Sequence, residues 1–177
     1  MIEFAEIRLR AFEAEDIDAL YQLRNSQSVL RSLGGFSKGY SRKSLAEWIE
    51  PHRNRADEAL WAIALKDSDR CIGHVGLYGL DHRVRKAEFG IAIEESQWGK
   101  GFGRHATSAA LEFGFNELNL NKIDLKVLAT NIRAVTLYER IGFRRDCILR
   151  DEQFRDGHYV DMLIMSILRR EMQADAK

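Results

Sequence analysis

Residues 97–104 read Gln-Trp-Gly-Lys-Gly-Phe-Gly-Arg, with glycines at 99, 101 and 103 between a stretch of alternating apolar residues and a stretch of helical period. Glycine lets the main chain approach a ligand with no Cβ in the way. A helix starting there turns its first unpaired N–H groups, and the positive end of its dipole, toward the same point. The segment is therefore expected to form an anion cradle suited to a phosphate. Upstream, Phe89, Ile91 and Ile93 alternate with Glu88, Gly90 and Ala92, which predicts a strand over 87–93 with Glu88 on a face of small neighbours. Downstream, Ala106, Ala109, Ala110 and Phe113 recur at i, i+3, i+4 and i+7, which predicts a helix over 104–116 packed closely on a sheet. The run lacks the Lys-Ser/Thr ending of a phosphate loop and the GxGxxG spacing of a dinucleotide fold, so both nucleotide readings are disfavoured.

A second segment, Asn131 to Phe143, reads Asn-Ile-Arg-Ala-Val-Thr-Leu-Tyr-Glu-Arg-Ile-Gly-Phe. Asn131 suits an N-cap, and Ala134, Leu137, Tyr138 and Ile141 hold helical spacing. Gly142 suits the left-handed residue that closes a helix. The strand, the glycine loop and the later Asn…Tyr-x-x-x-Gly-Phe helix together resemble, in order and spacing, the GNAT superfamily of acetyl-CoA-dependent N-acyltransferases. Ile7-Arg-Leu-Arg, Glu15-Asp16, Arg24-Asn25 and Asp156-Gly-His-Tyr-Val-Asp make the chain most similar to the branch of ribosomal-protein N-terminal and spermidine acetyltransferases. One departure stands out: Trp98 occupies a position where the superfamily usually has Arg or Gln, and it brings no charge to the loop.

The chain has 177 residues, 45% of them hydrophobic and 31% charged, which suits one globular domain spanning 1–177. The 27 basic and 27 acidic residues cancel, so the overall field gives no support to a nucleic-acid partner. No apolar run is long enough for a membrane span, and Glu3 and Glu6 do not suit a secretion signal; a cytoplasmic enzyme is expected. Cys71 and Cys147 read as ordinary buried residues, and Cys71 with His74 lacks the second pair a metal site needs, so no metal is expected.

Patterning along the rest of the chain predicts strands over 6–11, 59–65, 71–78, 123–128, 147–153 and 158–167, with a helix over 16–25. The stretch through Gly34, Gly35 and Gly39 reads as loose. A further helix starts near Ser41 or Ser44, where Ser44-Leu-Ala-Glu47 forms a capping box, and Pro51 bends or ends it. Asp156-Gly157 joins the last two strands. The expected fold is α/β of the α+β type, a mixed and mostly antiparallel sheet flanked by helices. The resemblance adds the splaying of its central strands.

An alkylammonium acceptor near pKa 10.4 needs about 4.6 kcal/mol to shed its proton at pH 7, so a base or a water relay is required. Glu88 is the candidate base, directly or through water; the other reading is a cross-strand charge partner for Arg83, Arg85 or Lys86. Tyr138 matches the superfamily tyrosine that serves the departing thiol, against the reading of an aromatic core residue with a satisfied hydroxyl. A phenol near 10 giving its proton to a thiolate near 8.5 is uphill by about 2 kcal/mol, so a hydrogen bond suffices. The resemblance further implies that Ile91, Ala92 and Ile93 offer backbone groups to the cofactor's amides and thioester. It assigns the phosphates to Gly99, Lys100, Gly101, Phe102, Gly103 and Arg104, with Trp98 covering the loop or the adenine side. Asn131 reads as a cofactor contact or simply as the cap.

On the acceptor side, the basic residues Arg24, Arg31, Lys38, Arg42, Lys43, Arg53 and Arg55 outnumber Glu47 and Glu50 between 24 and 56. That balance favours a peptide N-terminus or a small, partly anionic amine over a polyamine, which is the alternative acceptor. A catalytically idle CoA-binding regulator is the other functional class still open. A homodimer through the sheet edge is expected of this class.

Overall fold

In a computed structural model of the protein, which describes residues 1–34, 38–52 and 55–172, alternating sequence patterns become one sheet of eight strands. In chain order the elements are β1 Ile2–Phe4, β2 Ile7–Arg10, α1 Asp16–Asn25, α2 Gln27–Ser32, α3 Arg42–His52, β3 Glu58–Leu65, β4 Cys71–Asp81 and β5 Lys86–Ile93. After the short turn Glu95–Gln97 come α4 Phe102–Asn116, β6 Lys122–Leu128, α5 Ile132–Ile141, β7 Arg144–Arg155, β8 His158–Leu168 and α6 Arg169–Met172. The strands lie in the order β1-β2-β3-β4-β5-β6-β8-β7, antiparallel throughout except for the parallel pair β5 and β6. This is the expected mixed α/β architecture.

Helices cover both faces. On the first face α1, α2 and α3 pack over Ala62, Cys71 and Ala92 through Leu20, Leu23, Val29, Leu45 and Ile49. On the second, α4 packs over Val75, Leu77, Phe89 and Ile123 through Ala106, Ala109, Ala110 and Phe115, and α5 joins the same core through Val135 and Tyr138. The small residues of α4 allow close approach: a Cβ at Gly114 would stand 2.8 Å from Ile123 and 3.0 Å from Leu77. Burial alternates along β5 as the sequence pattern predicts, with Ala87 and Phe89 inside and Lys86 and Glu88 outside.

Several boundaries differ from the sequence expectation for identifiable reasons. Of the two starts expected for α3 the structure takes the one at Ser41, and the cap is reciprocal between Ser41 and Ser44 where a Ser44–Glu47 box was expected: Ser44 N–H donates to Ser41 Oγ at 3.0 Å and Ser41 N–H to Ser44 Oγ at 2.9 Å. Pro51 sits in its last turn. Strand β1 and helix α2 fall where no periodicity marked them, because both are too short to show one. Part of the stretch expected to be loose, at Gly35, lies outside the described residues. Cys147 is exposed on β7, whereas Cys71 is buried, so only one of the two cysteines behaves as the sequence suggested. The β7–β8 turn is as expected, with Asp156 and Gly157 at φ of 48° and 85°.

Candidate active site

Strands β5 and β6 pair only through Lys86–Lys122, Ala87–Ile123 and Glu88–Asp124. Beyond Glu88 they part: β5 continues to Ile93 on β4, and β6 continues to Leu128 on β8. The wedge between them opens a cleft of about 1340 Å³ that passes from one face of the sheet to the other. The first side is bounded by α2 and by Glu88, Lys126, Gln153 and Met162; the second by the start of α4 and by α5. The splaying that the resemblance implied is thus present.

The glycine run forms the second-side rim. Gly99 and Gly101 take φ of 78° and 87°, and a Cβ at Gly99 would meet nothing within 4 Å, so the main chain there is open to the cleft. The first amide of α4 with a partner in the turn before it is that of His105, which donates to the Gly101 carbonyl at 3.1 Å. The amides of Phe102, Gly103 and Arg104 are left without a helix acceptor at the dipole's positive end. Arg104, Arg133 and Arg140 line this side. Free amides and an open glycine make a seat that fits a pyrophosphate.

Of the residues the sequence singled out, Glu88, Ile91, Ala92, Ile93, Trp98, Gly99, Gly101, Gly103, Arg104, Asn131 and Tyr138 come together around this cleft. Lys100 and Phe102 do not line it: the Lys100 ammonium turns to Gln97 Oε1 at 3.1 Å, and Phe102 packs on the main core. Trp98 is held by its indole N–H, which donates to the Ile93 carbonyl at 2.8 Å.

Tyr138 is 8% exposed, with its ring edge-on to Phe89 and tilted against Phe143 at 6.1 and 5.6 Å between centroids. Its hydroxyl makes no hydrogen bond to any described residue, and burial pushes the phenol above its ordinary value. Glu88 projects from the other side of the sheet, about half exposed, with its carboxylate 3.6 Å from the Lys126 ammonium. That partner replaces the expected Arg83, Arg85 or Lys86. Lys126 lies two residues beyond Asp124, the register neighbour of Glu88, and so reaches the same face. Asn131 caps α5 as predicted, accepting from Ala134 N–H at 3.2 Å, and its amide nitrogen donates to the Ser32 carbonyl at 3.0 Å. This ties α5 to α2 across the mouth of the wedge.

Sequence reasoning missed Arg133, Leu137 and Arg140, although their i, i+4, i+7 spacing was a readable signal for one face of α5. It also missed the α2 wall, Val29, Ser32 and Leu33, for which a six-residue helix gives no periodic signal. Among the described residues no group of three His, Cys, Asp or Glu could hold a metal ion, and no helix is long and apolar enough to cross a membrane.

Comparison with known proteins agrees with this geometry. Residues 6–144 match the acetyltransferase (GNAT) domain model. The chain is similar to the spermidine N(1)-acetyltransferase of Vibrio cholerae, 35% identical over 93% of this chain and 94% of that protein. It is also similar to an uncharacterized N-acetyltransferase of Bacillus licheniformis, 29% identical over 93% and 94%. The crystal structure of the Vibrio cholerae spermidine N-acetyltransferase in complex with CoA and spermine superposes with a TM-score of 0.88 at 32% identity, covering 96% of this chain and 99% of that one. With its splayed strands, glycine cradle and family match, the chain belongs to the GNAT acetyltransferases and is an N-acetyltransferase that uses acetyl-CoA.

Proposed function

We propose that this single-domain enzyme transfers acetyl to a primary amine by direct attack within the wedge, with Glu88 and Tyr138 serving opposite ends of the reaction. One observation carries the reading: the two side chains line a single cleft from opposite faces of the sheet, joined through the gap between β5 and β6. The amine enters from the Glu88 side, and Glu88 or a water it holds takes the ammonium proton. The Lys126 ammonium stands 3.6 Å from that carboxylate. Backbone groups of Ile91 to Ile93 that are bonded neither to β4 nor, as the Ile93 carbonyl is, to Trp98 face the gap left by β6 and are available to the pantetheine amides and the thioester oxygen. Tyr138 donates a hydrogen bond to the departing sulfur. Burial raises the phenol, so transfer of its proton to the thiolate is more uphill than for a free tyrosine, and the hydrogen bond is its contribution.

The acceptor of the first reading is a peptide N-terminus or a small amine, on the basic balance of residues 24–56. A polyamine is the second reading. The related enzymes named for spermidine favour it, and so does a row of carboxylates across the first face. Register places the three carboxylates Glu58, Glu88 and Asp124 in one line across four neighbouring strands, with Tyr78 between the first two, and directly opposed residues share a face. Two copies pairing through the exposed edge strand β7 would form a homodimer, which light scattering tests.

Thiol release from acetyl-CoA, measured against peptides, polyamines, amino sugars and amino acids, ranks the acceptors. Glu88→Gln is expected to flatten the acidic limb of the rate profile for the best of them, whereas an unchanged limb would leave Glu88 as a partner of Lys126 alone. Tight cofactor binding with no release on any acceptor would favour an idle regulator.

A further inference from the structure

Trp98 brings no charge to the glycine loop, but a guanidinium stands directly against it. Arg133, in the first turn of α5, places its Cζ 3.6 Å from the centre of the Trp98 ring. The indole is itself fixed to the end of β5 by its bond to the Ile93 carbonyl. The segment that follows β5 and the helix that follows β6 therefore meet through this pair, and both residues line the cleft, with Trp98 immediately before Gly99. A guanidinium seated on an aromatic face keeps its in-plane N–H donors for another acceptor. Among the described residues no carboxylate or carbonyl takes those of Arg133. Surface arginines elsewhere behave differently: Arg70 pairs with Glu94 at 2.8 Å and Arg145 with Glu139 at 2.7 Å.

We propose that Arg133 is a side-chain ligand of the CoA pyrophosphate, delivering from α5 the charge that the loop lacks at position 98. Trp98 is its positioning residue, fixing the guanidinium's orientation at the cradle's edge. The planar fork matches two phosphate oxygens at once, a geometry that a lysine cannot reproduce. The proposal rests on the family's use of acetyl-CoA.

Calorimetric titration of the full chain with CoA and with dephospho-CoA, which keeps the pyrophosphate and lacks the 3′-phosphate, tests it across a range of salt concentrations. Arg133→Met is expected to weaken CoA binding at least tenfold and dephospho-CoA by the same factor, with a shallower salt dependence; Arg133→Lys should recover only part of the loss. Trp98→Leu leaves the net charge unchanged yet should also weaken binding and flatten the salt dependence. Combined with Arg133→Met, it should add less than its own single effect. Unaltered affinity in Arg133→Met overturns the proposal, as does a loss that disappears with dephospho-CoA. Additive effects overturn the positioning role of Trp98. Wild-type titrations in the same series separate these failures from a failure of cofactor binding itself, which would remove the proposal's basis.

Discussion

His74 lies on β4 in register with Ala62 and Ala92, beneath Trp48, and is 5% exposed, with neither ring nitrogen hydrogen-bonded within the described protein. Burial, assisted by the nearby Arg24 and His52, lowers its pKa from 6.5 to about 3. The folded protein thus refuses a proton that the unfolded chain accepts below pH 6.5, so stability falls with acidification between those two values. At pH 5, 1.5 pH units below the ordinary value, the linkage amounts to about 2 kcal/mol relative to pH 7.5. His74→Phe removes the titrating group, keeps a ring against Trp48, and eliminates two buried nitrogens without partners, so it should not destabilise at neutral pH. The assay is urea unfolding of both proteins at pH 7.5 and pH 5, compared as a double difference so that carboxylates common to both cancel. The wild type is expected to lose about 2 kcal/mol more than the variant. Equal losses would refute the reasoning and mean that His74 is protonated in the fold or reached by solvent.

Tyr138→Phe keeps the packing against Phe89 and Phe143 and removes one hydrogen bond to a developing charge; turnover should fall between about tenfold and a hundredfold, with acetyl-CoA affinity within about twofold by calorimetry. Gly101→Val and Gly79→Val both force a branched residue to positive φ, at 87° and 58°, but only Gly101 lines the cleft, so only the first should weaken acetyl-CoA binding, by about tenfold or more. Asp16, 4% exposed, accepts from both terminal nitrogens of Arg10 at 2.7 and 3.0 Å and from Glu13 N–H at 2.9 Å. Asp16→Ala removes the closer of two carboxylates from a largely buried guanidinium that Asp69 also holds at 3.2 Å, and should cost about 3 kcal/mol in urea unfolding, whereas a loss under about 1 kcal/mol would show that the Asp69 contact alone satisfies Arg10.

The sequence by itself determined the elements whose pattern is local. The alternation around Glu88, the glycine-to-helix passage at 99–104 and the Asn131…Gly142 punctuation follow from side-chain period and backbone freedom, and each lies within a few residues of where the structure has it. Family membership was legible for the same reason, since spacing along one strand and two helices survives without any knowledge of packing. Tertiary structure alone decided which of those residues face one another. That β5 leaves β6 after Glu88 depends on hydrogen bonds each strand makes to a different neighbour, and strand partners separated by a whole helix leave no trace in local period. The same limit explains Lys126 beside Glu88, Arg133 on Trp98 and α2 across the wedge: each pairs residues distant in sequence, brought together by the burial of a shared core.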